Sequence, residues 1–598
     1  MAEKLIPTGN EKISLPCIRE ADAAIMDFTF LHMGSKGLID VFGSHDKPLI
    51  KPLLIVDGEE CVFSDISWSK KLYWIPHYTM DFGQIKLNGV ILAPIGRRGF
   101  ICRQTYTNLT EAPLTATVGQ KGCWSGTNHA INMNKPIDAK TFVHYSGWNR
   151  NLVFDMRIGT SLFAFAPMCG CETEQQSEQD SNGAISYVVS TEITIEPGES
   201  YTFDIAWGLG YEEVSAVTSA EEIIRYKFEK EYESTERWLG ERVKTVGDSQ
   251  LDRIMNTNLL FNFFFAAGCT IDTEEFVLVT SRSHRYYVSA AYWDRDSLLW
   301  SFPSIVLTDT EYAREMLLYV FTKQARNIGT HSRYIDGTVL EPGFELDELC
   351  APVIALNNYV KVSGDLGFLT LPHVERTVES ILKKLESEKH DTLPLYRTFL
   401  QPTDDMHTYQ YLTYDNVLVW RLLTNLAELY DGIWSKQRTA ELESAAKEVK
   451  EAILHHCVEE YEGKRIFAWS LDLEGHWDVY DEPPGSLQLL PHYGFCALNN
   501  EIYQNTVDII RRPDYKYAFH GYPFAEIGCA HAPHPWVLSI ANSLLCGRTE
   551  QGRNLLIRAQ MDNGIACESI NENTGESASG NAFATCAGFL AYAIYSSF

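Results

Sequence analysis

The chain has 598 residues, of which 45% are hydrophobic and 22% charged, so it is expected to fold into two large globular domains rather than one. Its formal net charge of −29 argues against nucleic acid or an anionic membrane as partner and favours a neutral or cationic ligand. No secretory signal and no apolar run of membrane-spanning length is visible, so a cytoplasmic protein is predicted.

Residues 1 to about 210 are predicted to form β structure. Short alternating runs are separated by turn residues, and Glu196–Glu199 is predicted to be a turn between two strands. Many short strands with regular turns are typical of an antiparallel sandwich of two sheets. Residues 1–215 are therefore assigned to a β-sandwich domain, in which no catalytic constellation stands out.

The pattern changes at Ser219. Ser219 and Glu222 fit a helix capping box, and about 25 residues of charged sequence typical of a helix follow. Residues 216–248 are therefore predicted to form a linker helix that joins two domains.

From residue 249 to residue 598, apolar residues recur at helical spacing, and several of these segments end in glycine. Long loops rich in aromatic, histidine and acidic residues separate them. No short repeat with a fixed period appears, so helix pairs closed into a toroid are predicted rather than an open solenoid. In such a toroid, loops from many helix pairs can line a single pocket.

Residues 292–300 place two carboxylates around an arginine in an apolar setting. Asp294, Arg295 and Asp296 lie between large aromatic and aliphatic residues, where charges must be paired or must meet a polar ligand. Two interpretations are open at this point. The three residues form a buried structural salt bridge, or they form a clamp that holds the hydroxyls of a sugar.

Further carboxylates occur in three later loop stretches, residues 341–350, 477–495 and 564–581. Hydrolysis of a glycosidic bond needs two carboxyl groups, an acid and a base or nucleophile. Asp347 opens an apolar helix, where it is either an ordinary first-turn acid or a general acid in a dry pocket. Glu345 and Glu348 compete for that role. Glu568 is either a catalytic carboxylate or a helix-start residue.

Competing chemistries have weaker signals. His531 and His534 lie close together, but the prolines around them argue against a helical zinc pair. No nucleophile elbow and no phosphate-binding loop appears. Fragments around Asp562 and Asn571 lack the full alternation of a calcium loop, and turn chemistry explains them better. The 14 scattered cysteines are predicted to be reduced, and no cofactor is expected.

Four short motifs, in the same order, resemble those of glycoside hydrolase family 125. These are the metal-independent exo-α-mannosidases built on an (α/α)6 barrel. Trp293–Ser297 is similar to the segment that lines the family's sugar subsite, and residues 481–491 resemble a second conserved stretch of that family. Residues 345–350 are similar to the segment of its acid, and residues 567–570 to the segment of its base. The resemblance therefore implies a C-terminal (α/α)6 toroid barrel, residues 249–598.

This sequence departs from the family pattern at three positions. Glu348 stands where the family has serine, Glu482 where it has aspartate, and Cys567 where it has histidine. The N-terminal sandwich also has no counterpart in the family. A sandwich, a linker helix and a helical barrel are instead similar to glucoamylases, glycogen-debranching enzymes and disaccharide phosphorylases, so the resemblance leaves mannose or glucose open.

The resemblance implies an inverting, metal-independent exo-glycosidase that acts on α-linked oligosaccharides, with α-mannosidase first and α-glucosidase second. Asp347 is implied as the acid and Glu568 as the base that activates water, with carboxyl groups about 6.5–9.5 Å apart. Trp293 or Trp536 is expected to stack on the sugar. Asp294 and Asp296 are expected to stay ionised and to pair with Arg295. The predicted substrate-binding residues are Trp293, Asp294, Arg295, Asp296, Glu345, Asp481, Glu482, His492, His534 and Trp536.

Two further functions stay open. In a phosphorylase, inorganic phosphate replaces the water that the base activates. In a carbohydrate-binding or structural protein, the site is degenerate. The retained base Glu568 and the lack of a clear anion-binding nest argue against a phosphorylase, and the presence of both candidate carboxylates argues against a non-catalytic protein. Oligomeric state is not determined by these patterns.

Overall fold

The computed structural model describes residues 3–147 and 149–598, which group into two compact units. The N-terminal unit extends to Val243 and includes Ala267–Glu275 and Arg282–Ala290. The C-terminal unit consists of Lys244–Ala266, Phe276–Ser281 and Ala291–Phe598. In the part of the chain that is described, no helix has both the length and the apolar character needed to cross a membrane.

The N-terminal unit consists mainly of short strands. In chain order they are β1 Leu5–Gly9, β2 Ser14–Arg19, β3 Asp27–His32, β4 Gly37–Phe42, β5 Lys51–Val56, β6 Glu59–Glu60, β7 Asp65–Lys71, β8 Ile75–Asp81, β9 Ile85–Leu92, β10 Gly99–Asn108, β11 Leu114–Trp124, β12 Gly126–Ile131, β13 Met133–Pro136, β14 Lys140–Ser146, β15 Asn151–Ile158, β16 Thr160–Cys169, β17 Glu174–Gln179, β18 Ile185–Ile195, β19 Ser200–Gly210 and β20 Ala267–Cys269.

Strands β1 to β19 form three antiparallel sheets around one shared core. Their orders are β1-β2-β3-β4-β12-β13, β14-β15-β16-β19-β10-β9-β8-β7 and β17-β18-β11-β5-β6. Phe28 of the six-stranded sheet packs edge-to-face on Phe165 of the eight-stranded sheet, with ring centroids 5.3 Å apart. Trp207 of the eight-stranded sheet donates a hydrogen bond to Gln120 of the five-stranded sheet, at 2.8 Å. The predicted antiparallel sandwich is confirmed, although its strands form three sheets and not the expected two. The predicted turn at Glu196–Glu199, which joins β18 to β19, is also confirmed.

Two helices follow the sandwich strands, α1 Glu213–Tyr226 and α2 Phe228–Gly240. The predicted capping box at Ser219 is wrong. Helix α1 begins earlier, where the Glu212 N–H donates to Ser215 Oγ at 3.1 Å, and the Ser219 hydroxyl donates to the Ser215 carbonyl inside the helix. The expected single linker helix is also wrong, because Lys227 adopts a φ of 68° and interrupts it.

The C-terminal unit is mainly helical. Its helices are α3 Ser249–Phe265, α4 Phe302–Thr308, α5 Thr310–Thr322, α6 Leu346–Ser363, α7 Pro372–Ser387, α8 Thr413–Leu429, α9 Lys436–His456, α10 Glu501–Ile510, α11 Val537–Leu545, α12 Thr549–Leu556 and α13 Ala584–Ser597. A π-helical segment, Arg295–Ser301, precedes α4, and single 3-10 turns occur at Gln324–Asn327, Leu366–Thr370, Pro483–Gly485 and Leu487–Leu489. Short strands are β21 Phe276–Leu278, β22 Thr330–Arg333, β23 Val339–Phe344, β24 Tyr411–Leu412, β25 Val458–Tyr461, β26 Lys464–Phe467, β27 Ser470–Leu471, β28 Ser569–Ile570 and β29 Ser577–Ser579.

The helices close into a toroid. Helix α6 packs against α8 and against the π-helical segment, and α8 packs on α9. The last helix, α13, packs on α11, α3 and α4, so the end of the chain returns to the start of the ring. This arrangement is the expected (α/α)6 barrel.

Burial separates inner from outer helices. In α6 every residue from Leu346 to Asn357 is buried, as expected for a helix surrounded by other helices. In α7 the buried residues follow one stripe, at Val374, Thr377, Val378, Ile381 and Leu385, which is the pattern of a helix with one face in solvent. The inner helices therefore carry polar residues into an enclosed setting at their N-terminal ends.

Candidate active site

Arg295, the first residue of the π-helical segment, is the centre of a buried charged cluster. Its side chain is 2% exposed. One terminal nitrogen donates to Glu345 Oε2 at 2.7 Å and to Asp347 Oδ2 at 3.0 Å, and the other donates to Asp404. The planar guanidinium can hold several carboxylates in fixed directions, which a lysine cannot do. Asp347 is thereby fixed beside Arg295.

Asp294 is paired with a different arginine. Its carboxylate accepts from the buried guanidinium of Arg333 and from the Tyr292 hydroxyl. Glu348 accepts the backbone N–H groups of Asp294 and of Arg295. Burial raises the pKa of the Asp294 carboxyl, and the Arg333 charge opposes that rise. The expected pairing of Asp294 with Arg295 is wrong, because Arg333, on β22, occupies that position.

Asp296 lies between Arg295 and the last inner helix. Its Oδ2 is 3.9 Å from Arg295 Nε, and its Oδ1 accepts from the Thr585 hydroxyl of α13 at 2.9 Å. Burial raises the pKa of Asp296 to about 7, although the Arg295 charge opposes it. Near neutral pH this carboxyl therefore exists in both forms, whereas the sequence led us to expect a permanently ionised group.

His331 adds a third cation to the cluster. It contacts Glu345 through Nδ1 and lies 3.3 Å from Glu341 through Nε2. Burial lowers the pKa of His331, but the hydrogen bond to Glu345 and the charge of Asp404 outweigh burial and raise it to about 9. The indole of Trp293 packs edge-to-face on this imidazole at 5.7 Å, and its buried Nε1 has no hydrogen-bond partner among the described residues.

Asp347 lies in the first turn of α6, as predicted, and its Oδ1 accepts the Glu348 N–H at 2.8 Å. Asp415, in the first turn of α8, was not predicted. Its side chain is buried, and neither carboxyl oxygen has a partner among the described residues. Burial and then the charge of Asp347 raise the pKa of Asp415 well above its ordinary value. Like charges packed this closely do not all ionise, so the cluster retains protons.

Glu568 lies in the loop before β28. The Ser579 hydroxyl donates to its Oε2 at 2.6 Å, and its own N–H donates to the Gly580 carbonyl at 3.1 Å. His531 Nε2 lies 3.9 Å from Glu568 Oε1, and His531 Nδ1 lies 3.0 Å from Asp405 Oδ2. One carboxylate oxygen is therefore fixed by a hydroxyl, and the other faces an imidazole.

A continuous series of side chains connects the two candidate carboxyls. Each side chain in this series contacts the next, with one exception. Asp404 and Asp405, in the loop between α7 and α8, are connected as neighbours in the sequence. The order is Asp347, Arg295, Asp404, Asp405, His531 and Glu568. The ends of this series are buried, whereas its middle is partly exposed. Solvent therefore reaches the site at the loop of residues 404 and 405.

Glu482, Asp481, Trp536 and His534 occupy supporting positions near this site. Glu482 accepts both the N–H and the hydroxyl of Thr403, each at 2.9 Å, and so holds the loop that carries the two aspartates. Trp536 is buried, and its ring packs against His531 with centroids 6.2 Å apart.

Asp481 accepts from the Ser486 hydroxyl at 2.7 Å and fixes its own turn. His534 lies 2.8 Å from Glu572. His492 packs against the rings of Tyr493 and Tyr592, and burial lowers its pKa to about 4. No contact described for it reaches the charged cluster.

Sequence reasoning missed several residues of this site. They are His331, Arg333, Asp404, Asp405 and Asp415. The acidic pair of residues 404 and 405 lies in a loop between two helices, which is the same signal that drew attention to residues 341–350. The other three lie on a short strand or inside a helix, where nothing distinguishes them from ordinary polar residues.

His331, Glu345 and Asp404 place donor atoms within 4.8 Å of one another, which is the spacing of a metal site. The donors are already used, because Arg295 donates to both Glu345 and Asp404. A divalent ion at this point would lie against the guanidinium, so the donor set does not fit a metal.

Comparison with known proteins finds a family similarity in part of the chain. Residues 390–595 match the model of the metal-independent alpha-mannosidases, GH125. The match includes Glu568 and begins after Asp347. A search of curated proteins gave no match.

Solved structures share the fold of part or of the whole of this chain. A Streptococcus pneumoniae metal-independent alpha mannosidase in a non-productive complex with alpha-1,6-mannobiose has a TM-score of 0.51 and 18% identity, and the match covers 57% of this chain and 94% of that one. A bacterial glucoamylase complexed with acarbose has a TM-score of 0.62 and 10% identity, with coverage of 100% and 95%. A putative kojibiose phosphorylase from the human microbiome has a TM-score of 0.60 and 11% identity, with coverage of 100% and 87%.

These findings confirm the predicted fold, an N-terminal sandwich and a C-terminal (α/α)6 barrel. At these low identities the structures bear on the fold alone. The family match over residues 390–595 is the finding that supports a glycosidase-type enzyme acting on α-linked sugars.

Proposed function

We propose that this protein is an inverting exo-α-mannosidase that removes terminal sugars from α-linked oligosaccharides. The observation that carries this proposal is the connected series of side chains from Asp347 to Glu568, of which Asp404, Asp405, His531 and Glu568 lie within the GH125 match of residues 390–595. Glycoside hydrolysis needs two carboxyl groups, an acid and a base, and this series ends in one at each end.

Asp347 acts as the acid in this proposal and donates a proton to the glycosidic oxygen. Carboxyls around it outnumber the cations Arg295, Arg333 and His331, so protons remain in the cluster. Once the proton has left, Arg295 at 3.0 Å and the Glu348 N–H at 2.8 Å stabilise the carboxylate that forms. The surroundings of Asp347 thus favour the carboxylate that remains after the proton has been transferred.

Glu568 acts as the base and takes a proton from the attacking water. Ser579 donates to Oε2, and Oε1 faces His531, where the attacking water lies in this proposal. His531, held by Asp405, lies 3.9 Å from Oε1 and can orient the same water. The water attacks the anomeric carbon while the bond to the leaving oxygen breaks, so the configuration inverts.

The test compares Asp347→Asn and Glu568→Gln, which keep side-chain size, with Glu576→Gln, an exposed glutamate between β28 and β29, as control. Each of the first two is expected to lower kcat by about 10²–10⁴-fold on α-mannobiose. The control is expected to match the unmodified enzyme.

Leaving-group chemistry separates the two roles. A dinitrophenyl glycoside needs little protonation, so it should restore turnover in Asp347→Asn and not in Glu568→Gln. Proton NMR should show the β-anomer first. Near-normal turnover of either variant, or the α-anomer first, would contradict the assignment.

An α-glucoside is the second candidate substrate, because the glucoamylase and the phosphorylase match over the whole of this chain. A panel of α-mannosides and α-glucosides, each with and without inorganic phosphate, distinguishes the three activities. Product formation that requires phosphate would replace hydrolysis with phosphorolysis.

A further inference from the structure

A second cluster of buried polar side chains lies in the N-terminal unit. Cys17 is on β2, Asp27 on β3 and Asp40 on β4, so neighbouring strands of the six-stranded sheet bring them together. His284 comes from residues 282–290 of the same unit. The Thr29 hydroxyl donates to the Arg282 carbonyl at 2.7 Å, which fixes this segment against β3.

The donor atoms of this cluster converge. Those of Cys17, Asp27 and His284 lie within 4.8 Å of one another. His284 Nδ1 is 3.2 Å from Asp27 Oδ2 and 3.7 Å from Asp40 Oδ1. Tetrahedral zinc with ordinary bond lengths holds its ligand atoms about 3.3–3.6 Å apart. The spacing is therefore that of a metal site needing little rearrangement.

Two buried carboxylates meet in this cluster. Asp27 is 2% and Asp40 1% exposed. The charges of His284 and of Arg285 act on Asp27, and the Asn128 side chain hydrogen-bonds to Asp40. Asp40 Oδ1 nevertheless points towards His284 and has no hydrogen-bond partner among the described residues, which is costly for a buried carboxylate. A divalent cation at this point would contact both carboxylates.

We propose that Cys17, Asp27 and His284 bind one divalent transition-metal ion, with Asp40 as the fourth ligand. A thiolate and an imidazole select zinc-type ions over calcium or magnesium, which prefer oxygen alone. The Cys17 thiol gives up its proton to solvent as its sulfur binds, and no oxidation is involved. The ion attaches residues 282–290 to the sheet and stabilises the N-terminal unit.

The test uses the full chain, produced without a metal-binding tag and stripped with chelator. Zn²⁺ is added back for metal analysis, and Co²⁺ is added separately because a cobalt–thiolate bond gives a charge-transfer absorption. The variants are Cys17→Ala and His284→Ala. The control is Cys123→Ala, since Cys123 and Cys17 are both 5% exposed cysteines of this unit.

The expected results are one ion per chain, a cobalt–thiolate band and a higher Tm with Zn²⁺ in the unmodified protein and in Cys123→Ala. Cys17→Ala should lose the band, and His284→Ala should bind at least about 100-fold more weakly. His284 is partly exposed, so its variant keeps the test decisive if Cys17→Ala fails to fold. No ion bound by the unmodified protein, or full binding by His284→Ala, would overturn the proposal.

Discussion

Replacing Arg295 by methionine tests the central role of this guanidinium. Methionine is of similar length and apolar, so the change removes the charge and its donors without opening a large cavity. Glu345, Asp347 and Asp404 would each lose a partner that now lies within hydrogen-bond distance. The loss should therefore appear as a change in stability of the C-terminal unit.

The expected size follows from burial. Breaking a buried ion pair by removing one partner costs about 3–5 kcal/mol, because the remaining charge is uncompensated. With about 2 °C per kcal/mol for a large domain, the apparent Tm should fall by about 6–10 °C near neutral pH. Arg314 pairs with Asp365 but is 41% exposed, so Arg314→Met should cost less than about 1 kcal/mol.

The effect should depend on pH in a fixed direction. Burial raises the pKa of Glu345 and of Glu348, and the Arg295 charge opposes that rise. Without Arg295 the folded-state pKa values rise further, and an acid with a raised pKa loses folding stability as pH increases above its unfolded value of about 4.5. The variant should therefore be close to the unmodified protein at pH 4.5 and fall furthest below it at pH 8.

Differential scanning calorimetry across this pH range measures both effects. An Arg295→Met loss no larger than that of Arg314→Met, or a loss that does not grow with pH, would refute the reasoning about the cluster.

Three further changes have definite expected outcomes. Ser579→Ala should lower kcat about 10-fold with KM little changed, since the hydroxyl fixes one oxygen of Glu568, and Ser579→Thr should restore it. His331→Gln should destabilise the protein at pH 6 but not above pH 9, because a histidine whose folded pKa is raised to about 9 contributes stability below about 6.5 that is lost as pH rises through 9; a constant difference in thermal melts would count against the ion pair with Glu345. Lys227→Gly should stabilise the N-terminal unit by about 1 kcal/mol and so raise its apparent Tm, because glycine adopts the φ of 68° at this position without the strain of a side chain. An equal gain from Lys227→Ala would exclude this backbone explanation.

The predicted active-site carboxyls illustrate how far residue patterns reach. The start of an apolar helix drew attention to Asp347, and only the resemblance to family motifs singled out Asp347 and Glu568 as the proposed acid and base. Their partners could not be found in that way. Arg333 lies on a short strand and forms an ion pair with Asp294. Sequence proximity would have paired Asp294 with Arg295 instead. Adjacent charges in sequence point in different directions once the segment is helical.

The local capping pattern also gave a wrong start for helix α1. Ser219 and Glu222 have the spacing of a capping box, but Ser219 bonds back to the preceding turn, and α1 begins at Glu213. The choice depends on packing of α1 against β16 and β19, which a local pattern does not contain.

The sequence by itself determined the class of each part of the chain: alternating strands for the sandwich, helical periodicity for the barrel, and the acids that start the inner helices. Periodicity and capping are local, so they can be recognised without a structure. The tertiary structure alone decided which charges meet. Arg295 joins Glu345 and Asp347 at the start of α6 to Asp404 in the loop before α8, and Asp405 and His531 lead from there to Glu568, because closure of the barrel brings these distant segments together.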